Sequence, residues 1–150
     1  MTPRSSAVGE VLFGLAAVAI RKRPRTLSLT ATSVLSTLER TGPRRLTDLA
    51  VSEEVTQPSM TALVKQLADL GLAERRRDPA DARVVLVAVT AAGSRQLREI
   101  RNAGASTLTG LIDKLDDQDA GALDAALPAL LRLMELAGES QDERTPAPKR

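Results

Sequence analysis

A chain of 150 residues, 43% hydrophobic and 27% charged, has the length of about one globular domain, enough for a single core and too short for a two-domain enzyme. It has no Cys and no His, which excludes disulfides, thiolate metal sites and thiol redox sensing and removes the commonest general base and metal ligand. Charge is asymmetric: residues 1–102 carry 16 Lys+Arg against 10 Asp+Glu, a net of +6, and residues 103–150 carry 5 against 9, a net of −4, so the front half suits a polyanion.

Residues 1–6 and 138–150 are polar and carry Pro, Gly and Ser, so both ends are expected to fray. Apolar residues at 8, 11, 12, 15, 18 and 19 predict a helix over about 6–22, stopped by Pro24. Its longest apolar run, Val11 to Ile20, is about half of the ~20 residues a membrane span needs. The basic cluster at 21–25 follows that run, unlike a signal peptide, so a cytoplasmic protein is expected.

After Ser28 a second helix is expected over about 30–40, with Val34, Leu35 and Leu38 as its stripe and Gly42-Pro43 as its stop. A short helix from Leu46 to about Val51 follows, with Thr47 as its N-cap and Leu46, Leu49 and Ala50 inward. The next is the most strongly signalled. Thr56 offers an N-cap oxygen, Pro58 sits in the first turn, and Met60, Leu63, Val64, Leu67 and Leu70 share a face. Gly71 supplies the left-handed residue of a Schellman end, with Leu72 beyond it.

The period then changes. Residues 73–77 and 84–89 read as two strands joined by a turn over 78–82. Thr90 is the expected N-cap of a long helix bearing Leu97, Ile100, Gly104, Leu108, Leu111, Ile112 and Leu115. Residues 116–119 break that helix and begin a last one carrying Leu123, Leu127, Leu130, Leu131 and Met134, which Pro128 should kink or locally unwind.

Short helix, tight turn, capped helix and hairpin together make a winged helix-turn-helix, in a mostly α (α+β) chain. The residues that narrow this reading run in order: 46–50 (LTDLA), 56–61 (TQPSMT), 63–67 (LVKQL), 71–75 (GLAER), 77–83 (RDPADAR) and 89–93 (VTAAG). In order and spacing, residues 10–137 resemble the multiple-antibiotic-resistance regulator (MarR) family, with 46–93 as the specific part. Ala82 stands where that family often has a second basic residue. The helices are nearly free of aromatics, Phe13 being the one aromatic residue, unlike members that grip aromatic effectors.

The apolar stripe of the capped helix leaves Gln57, Pro58, Ser59, Thr61, Ala62 and Lys65 for the solvent side near its N-terminus. Gln can pair with an adenine edge, Ser and Thr can donate or accept, and a Thr or Ala methyl can touch a thymine methyl. Arg75, Arg76, Arg77 and Arg83 flank the hairpin, with strand alternation placing Arg75 and Arg77 on one face and Arg76 on the other. Arg83 matches the family position that enters the minor groove, and Asp81 is expected to orient its guanidinium. Arg21, Lys22, Arg23, Arg25, Arg44 and Arg45 are further candidates for phosphate contact, although basic residues also suit a helix C-terminus with no ligand present.

The resemblance implies a homodimer on double-stranded DNA, built as a DNA-binding lobe over 28–90, dimerisation helices over 6–22 and 91–137, and a flexible tail over 138–150. It further implies a small-molecule effector between the dimer helices and the lobe, for which Leu12, Phe13, Ala16, Val34 and Leu38 are the candidate lining. No cofactor, metal or membrane partner is expected. The chain therefore reads as a sequence-specific transcriptional regulator, a ligand-responsive repressor on a near-palindromic operator. An architectural DNA-binding protein with little sequence preference is the alternative. An enzyme ranks last, because nothing sets a nucleophile beside a base.

Overall fold

The computed structural model describes residues 3–144. In chain order these form α1 (Pro3–Lys22), α2 (Leu29–Thr41), β1 (Arg44–Arg45), α3 (Leu46–Ser52), α4 (Gln57–Asp69), β2 (Ala73–Arg77), β3 (Val85–Val89), α5 (Ala91–Ile112) and α6 (Asp117–Arg144). They fall into two compact units, one of residues 26–98 with the chain from 132 onward, the other of residues up to 25 with 99–131.

In the unit built on 26–98, local signals place each helix. The Ser28 hydroxyl accepts the Ala31 N–H at 3.0 Å and caps α2, and Gly42, at φ 80°, ends it by donating to the Leu38 carbonyl at 3.0 Å. The Gly71 N–H donates to the Ala68 carbonyl and the Leu72 N–H to the Leu67 carbonyl, both at 2.9 Å, the complete Schellman pair. α2 and α3 pack on β3, and α4 packs on β2. Val34, Leu35, Leu38, Leu49, Met60, Val64, Leu67, Val87 and Leu97 are sealed between them. Each such burial stabilises by about 2 kcal/mol, whereas the exposed Lys65–Asp69 ion pair on α4 contributes under about 1 kcal/mol. The apolar stripe therefore holds α4 in place.

The sheet is antiparallel in the order β1-β3-β2. β1 carries no strand pattern of its own and is defined by pairing: Arg44 lies opposite Val87 and Arg45 opposite Leu86. This pairing corrects two expectations. Arg45, held extended at φ −68° and ψ 146°, is the cap position of α3, so Thr47 lies inside the helix, where its hydroxyl meets the Asp48 carboxylate at 3.5 Å. Arg44 is buried at 9% exposure, its Nε donating to the Thr41 hydroxyl at 3.0 Å, and so does not serve as an outward phosphate contact. Of the α4 stripe, Leu70 is 54% exposed, because the C-cap turn carries it off the inward face.

The other unit is different in kind. Among its described residues Ile100 alone is buried, while Val8, Val11, Leu15, Leu111, Ile112, Leu123 and Leu127 remain at 40–62% exposure. An open apolar trough of about 820 Å³ runs between α1, the end of α5 and α6, bounded by Val8, Val11, Leu15, Leu108, Ile112 and Leu130. α1 begins at Pro3, so residues 3–6 are helical where fraying was expected. α5 ends at Ile112, three residues short of Leu115. α6 opens on Asp116, whose carboxylate accepts the Asp119 N–H at 2.8 Å. It runs unbroken past Pro128 and Gly138 to Arg144, so neither residue interrupts it, and the expected tail at 138–150 is helical over its first part. Residues 1–2 and 145–150 of the expected frayed ends lie outside the described residues.

Candidate nucleic-acid interface

The turn between α3 and α4 determines where the second helix starts. The Val55 N–H donates to the Ala50 carbonyl at 3.0 Å and the Glu54 N–H to the Val51 carbonyl at 3.2 Å. This is again a Schellman end, but its left-handed position, φ 54°, is held by Glu54 and not by glycine. Thr56 then caps α4: its hydroxyl oxygen accepts the Ser59 N–H at 3.3 Å and lies 2.8 Å from the Ser59 hydroxyl.

With Met60, Val64 and Leu67 turned to the core, Gln57, Pro58, Ser59, Thr61, Ala62 and Lys65 are all exposed, as the spacing predicts. The Thr61 hydroxyl donates back to the Gln57 carbonyl at 2.9 Å, which fixes its rotamer and leaves its methyl and an oxygen lone pair outward. Lys65 Nζ lies 2.7 Å from Asp69 Oδ2, a pairing one helical turn along that a DNA contact would have to exchange.

The wing is a regular ladder with Arg75 opposite Val87, Arg76 opposite Leu86 and Arg77 opposite Val85. Its loop closes by the Asp78 N–H to the Val84 carbonyl and the Val84 N–H to the Asp81 carbonyl, both at 2.9 Å. Arg75, Arg76, Arg77 and Arg83 are exposed, yet they are not equivalent. Arg76 is paired with Glu74, two residues back on the same strand face. Asp81 does not take the expected part: its carboxylate accepts the backbone N–H of Arg83 at 3.0 Å, as Asp78 accepts that of Ala80 at 2.9 Å. These are Asx-turns that shape the loop and leave the Arg83 guanidinium to other partners. Of the remaining basic candidates, Arg21, Lys22, Arg25 and Arg45 are exposed and Arg23 is half-buried.

The residues expected to line an effector pocket are divided between the two units. Leu12 and Ala16 lie on the apolar trough, and Phe13 is 78% exposed on α1 outside its lining. Val34 and Leu38, at 0% and 1% exposure, are closed inside the core of the other unit and offer a ligand no surface. Among the described residues no cluster of three or more Asp or Glu could hold a metal ion, and no helix is long and apolar enough to cross a membrane.

Residues 27–85 match the MarR family model. HTH-type transcriptional regulators of Mycobacterium bovis and Mycobacterium tuberculosis are each 33% identical over 109 residues, 73% of this chain and 76% of theirs. Among solved structures, a transcriptional regulator from Thermotoga maritima is similar with a TM-score of 0.74 at 21% identity, covering 91% of this chain and 97% of that one. A mutant of MepR from S. aureus, bound to an oligodeoxyribonucleotide, is similar with a TM-score of 0.66 at 17% identity, covering 89% and 99%.

Proposed function

The chain belongs to the MarR family and is a transcriptional regulator with a DNA-binding fold, not an enzyme; from that premise we propose that it is a sequence-specific repressor acting as a homodimer on a near-palindromic operator. The observation that carries this reading is the outward face of α4. Six small or polar side chains, from Gln57 to Lys65, are gathered at the N-terminal half of a capped helix that directly follows a tight turn. Such a face fits the major groove, where Gln reads adenine and the Thr61 and Ala62 methyls reach thymine. The exposed arginines of the hairpin lie one strand beyond it, and Arg83 at the loop suits the narrow, negative minor groove. A similar fold in MepR is bound to an oligodeoxyribonucleotide, which supports the same use here.

Two copies would place two recognition helices on successive major grooves, with half-sites roughly 34–36 Å apart. The apolar trough of α1, α5 and α6 favours such pairing, because an exposed surface of this kind marks an interaction site. A small apolar or anionic effector would weaken DNA binding through its differing affinity for the two states of the dimer. With no Cys, peroxide should not act as the signal.

The test is selection of bound duplexes from a pool of genomic fragments, followed by titration of the recovered site and a scrambled duplex. Specific binding predicts a preference of about 10³ or more at physiological salt, and Gln57→Ala or Thr61→Ala should shift the preferred bases at a cost of ~1–3 kcal/mol per half-site. A preference below about tenfold would indicate a DNA-coating protein instead.

A further inference from the structure

Thr90 makes more bonds than a helix cap requires. Its hydroxyl oxygen accepts the Gly93 N–H at 3.1 Å, the ordinary capping bond of α5. The same hydroxyl donates to the Gly71 carbonyl at 2.6 Å, across 19 residues of chain. Its backbone N–H donates to the Leu72 carbonyl at 3.0 Å, one step beyond the Ala73–Val89 pair of the wing ladder. Gly71 and Leu72 are the two residues whose own amides close α4 on Ala68 and Leu67. One residue thus ties the end of the recognition helix to the base of the wing and to the first turn of α5, its hydroxyl holding the helix end and α5 and its amide the wing. The packing leaves little slack, since Gly93 lies so near the Leu72 carbonyl that a β-carbon would not fit between them.

We propose that Thr90 is a positioning residue for DNA recognition, setting the angle between recognition helix and wing so that both engage one site. The proposal rests on the DNA-recognition reading above. Its chemical signature is the donated bond. A cap needs only an acceptor, which Asp supplies as well as Thr; the bond to Gly71 needs an O–H, which Asp at neutral pH and Val both lack and Ser keeps.

The experiment compares wild type, Thr90→Ser, Thr90→Asp and Thr90→Val at a temperature where circular dichroism shows each folded. Each is titrated with the best duplex recovered by selection and with a scrambled duplex of the same length and composition. Thr90→Ser should keep the wild-type preference, while Thr90→Val and Thr90→Asp should each lose about tenfold of it, the scale of one net hydrogen bond. The clamp is overturned if Thr90→Asp and Thr90→Val discriminate as wild type does, or if they weaken both duplexes equally. If the wild type itself showed no preference, the DNA-recognition reading would fall first. Should Thr90→Val and Thr90→Asp not fold, hydrogen exchange on the wild type decides: the amides of Leu72, Thr90 and Gly93 should open together with those of α4, and independent, faster opening of Thr90 and Gly93 would refute the clamp.

Discussion

The carbonyl oxygen of Leu72 occupies the space that a side chain on Gly93 would need: an ideal β-carbon there lies 2.2 Å from that oxygen and 2.8 Å from Val89 Cγ2. The first neighbour is backbone, held on one side by the Schellman turn of α4 and on the other by the Thr90 N–H, so it cannot rotate away. The glycine is required by close approach and not by its dihedral angles.

Gly93→Ala should therefore destabilise the DNA-binding unit by about 3 kcal/mol, the upper end of the usual range for overpacking, even though Ala is the better helix former. Chemical denaturation checks this, and an unchanged or raised midpoint would contradict the close approach.

Glu54 presents the opposite case. It holds a left-handed conformation at φ 54° that costs an ordinary residue roughly 1–2 kcal/mol, and its side chain forms no hydrogen bond with a described residue. Glu54→Gly should raise stability by about 0.5–1 kcal/mol after the extra freedom of the unfolded glycine is counted. The urea midpoint should rise with its slope unchanged.

The wing arginines should separate by partner. Arg83 and Arg75 are exposed and form no ion pair with a described residue, so Arg83→Ala or Arg75→Ala should weaken binding and flatten the salt slope by about one for each phosphate no longer neutralised, or about two in a symmetric dimer. Arg76 is engaged by Glu74, so Arg76→Ala should cost less, and Glu74→Ala should tighten binding to operator and scrambled DNA alike. Titrations across several salt concentrations distinguish these outcomes.

Pairing through the apolar trough predicts a thermal midpoint that rises with protein concentration. Val11→Asp or Leu111→Asp, each placing a charge on that surface, should yield monomers or aggregates in sedimentation and lose operator binding. A wild-type chain that sediments as a folded monomer at micromolar concentration, with a concentration-independent midpoint, would contradict this.

Much of the candidate DNA-binding face was legible from residues a few positions apart. Thr56 with Ser59, Ser28 with Ala31, and Gly71 with Ala68 lie within about one helical turn of each other, and their chemistry does not depend on the rest of the fold. The outward set from Gln57 to Lys65 follows in turn, because burying Met60, Val64 and Leu67 leaves the helix only one solvent face. The effector lining was less legible. Periodicity marks Val34, Leu38, Leu12 and Ala16 equally as apolar, and it cannot distinguish a sealed core from an open trough.

By itself, then, the sequence determined the order of the helices, the caps at Thr56 and Thr90 and the outward face of α4, all of which depend on interactions between near neighbours in the chain. Only the tertiary structure decided the roles that depend on distant partners. β1 exists because the free edge of β3, some 40 residues on, pairs with a two-residue segment too short to carry a strand pattern. The same pairing turns Arg44 inward to Thr41 and makes Arg45, in place of Thr47, the start of α3. The loop geometry gives the Asp81 carboxylate to an amide instead of a guanidinium, and Thr90 finds Gly71 across 19 residues. In each case the residue type permits several partners, and the fold selects one by bringing it within hydrogen-bond distance.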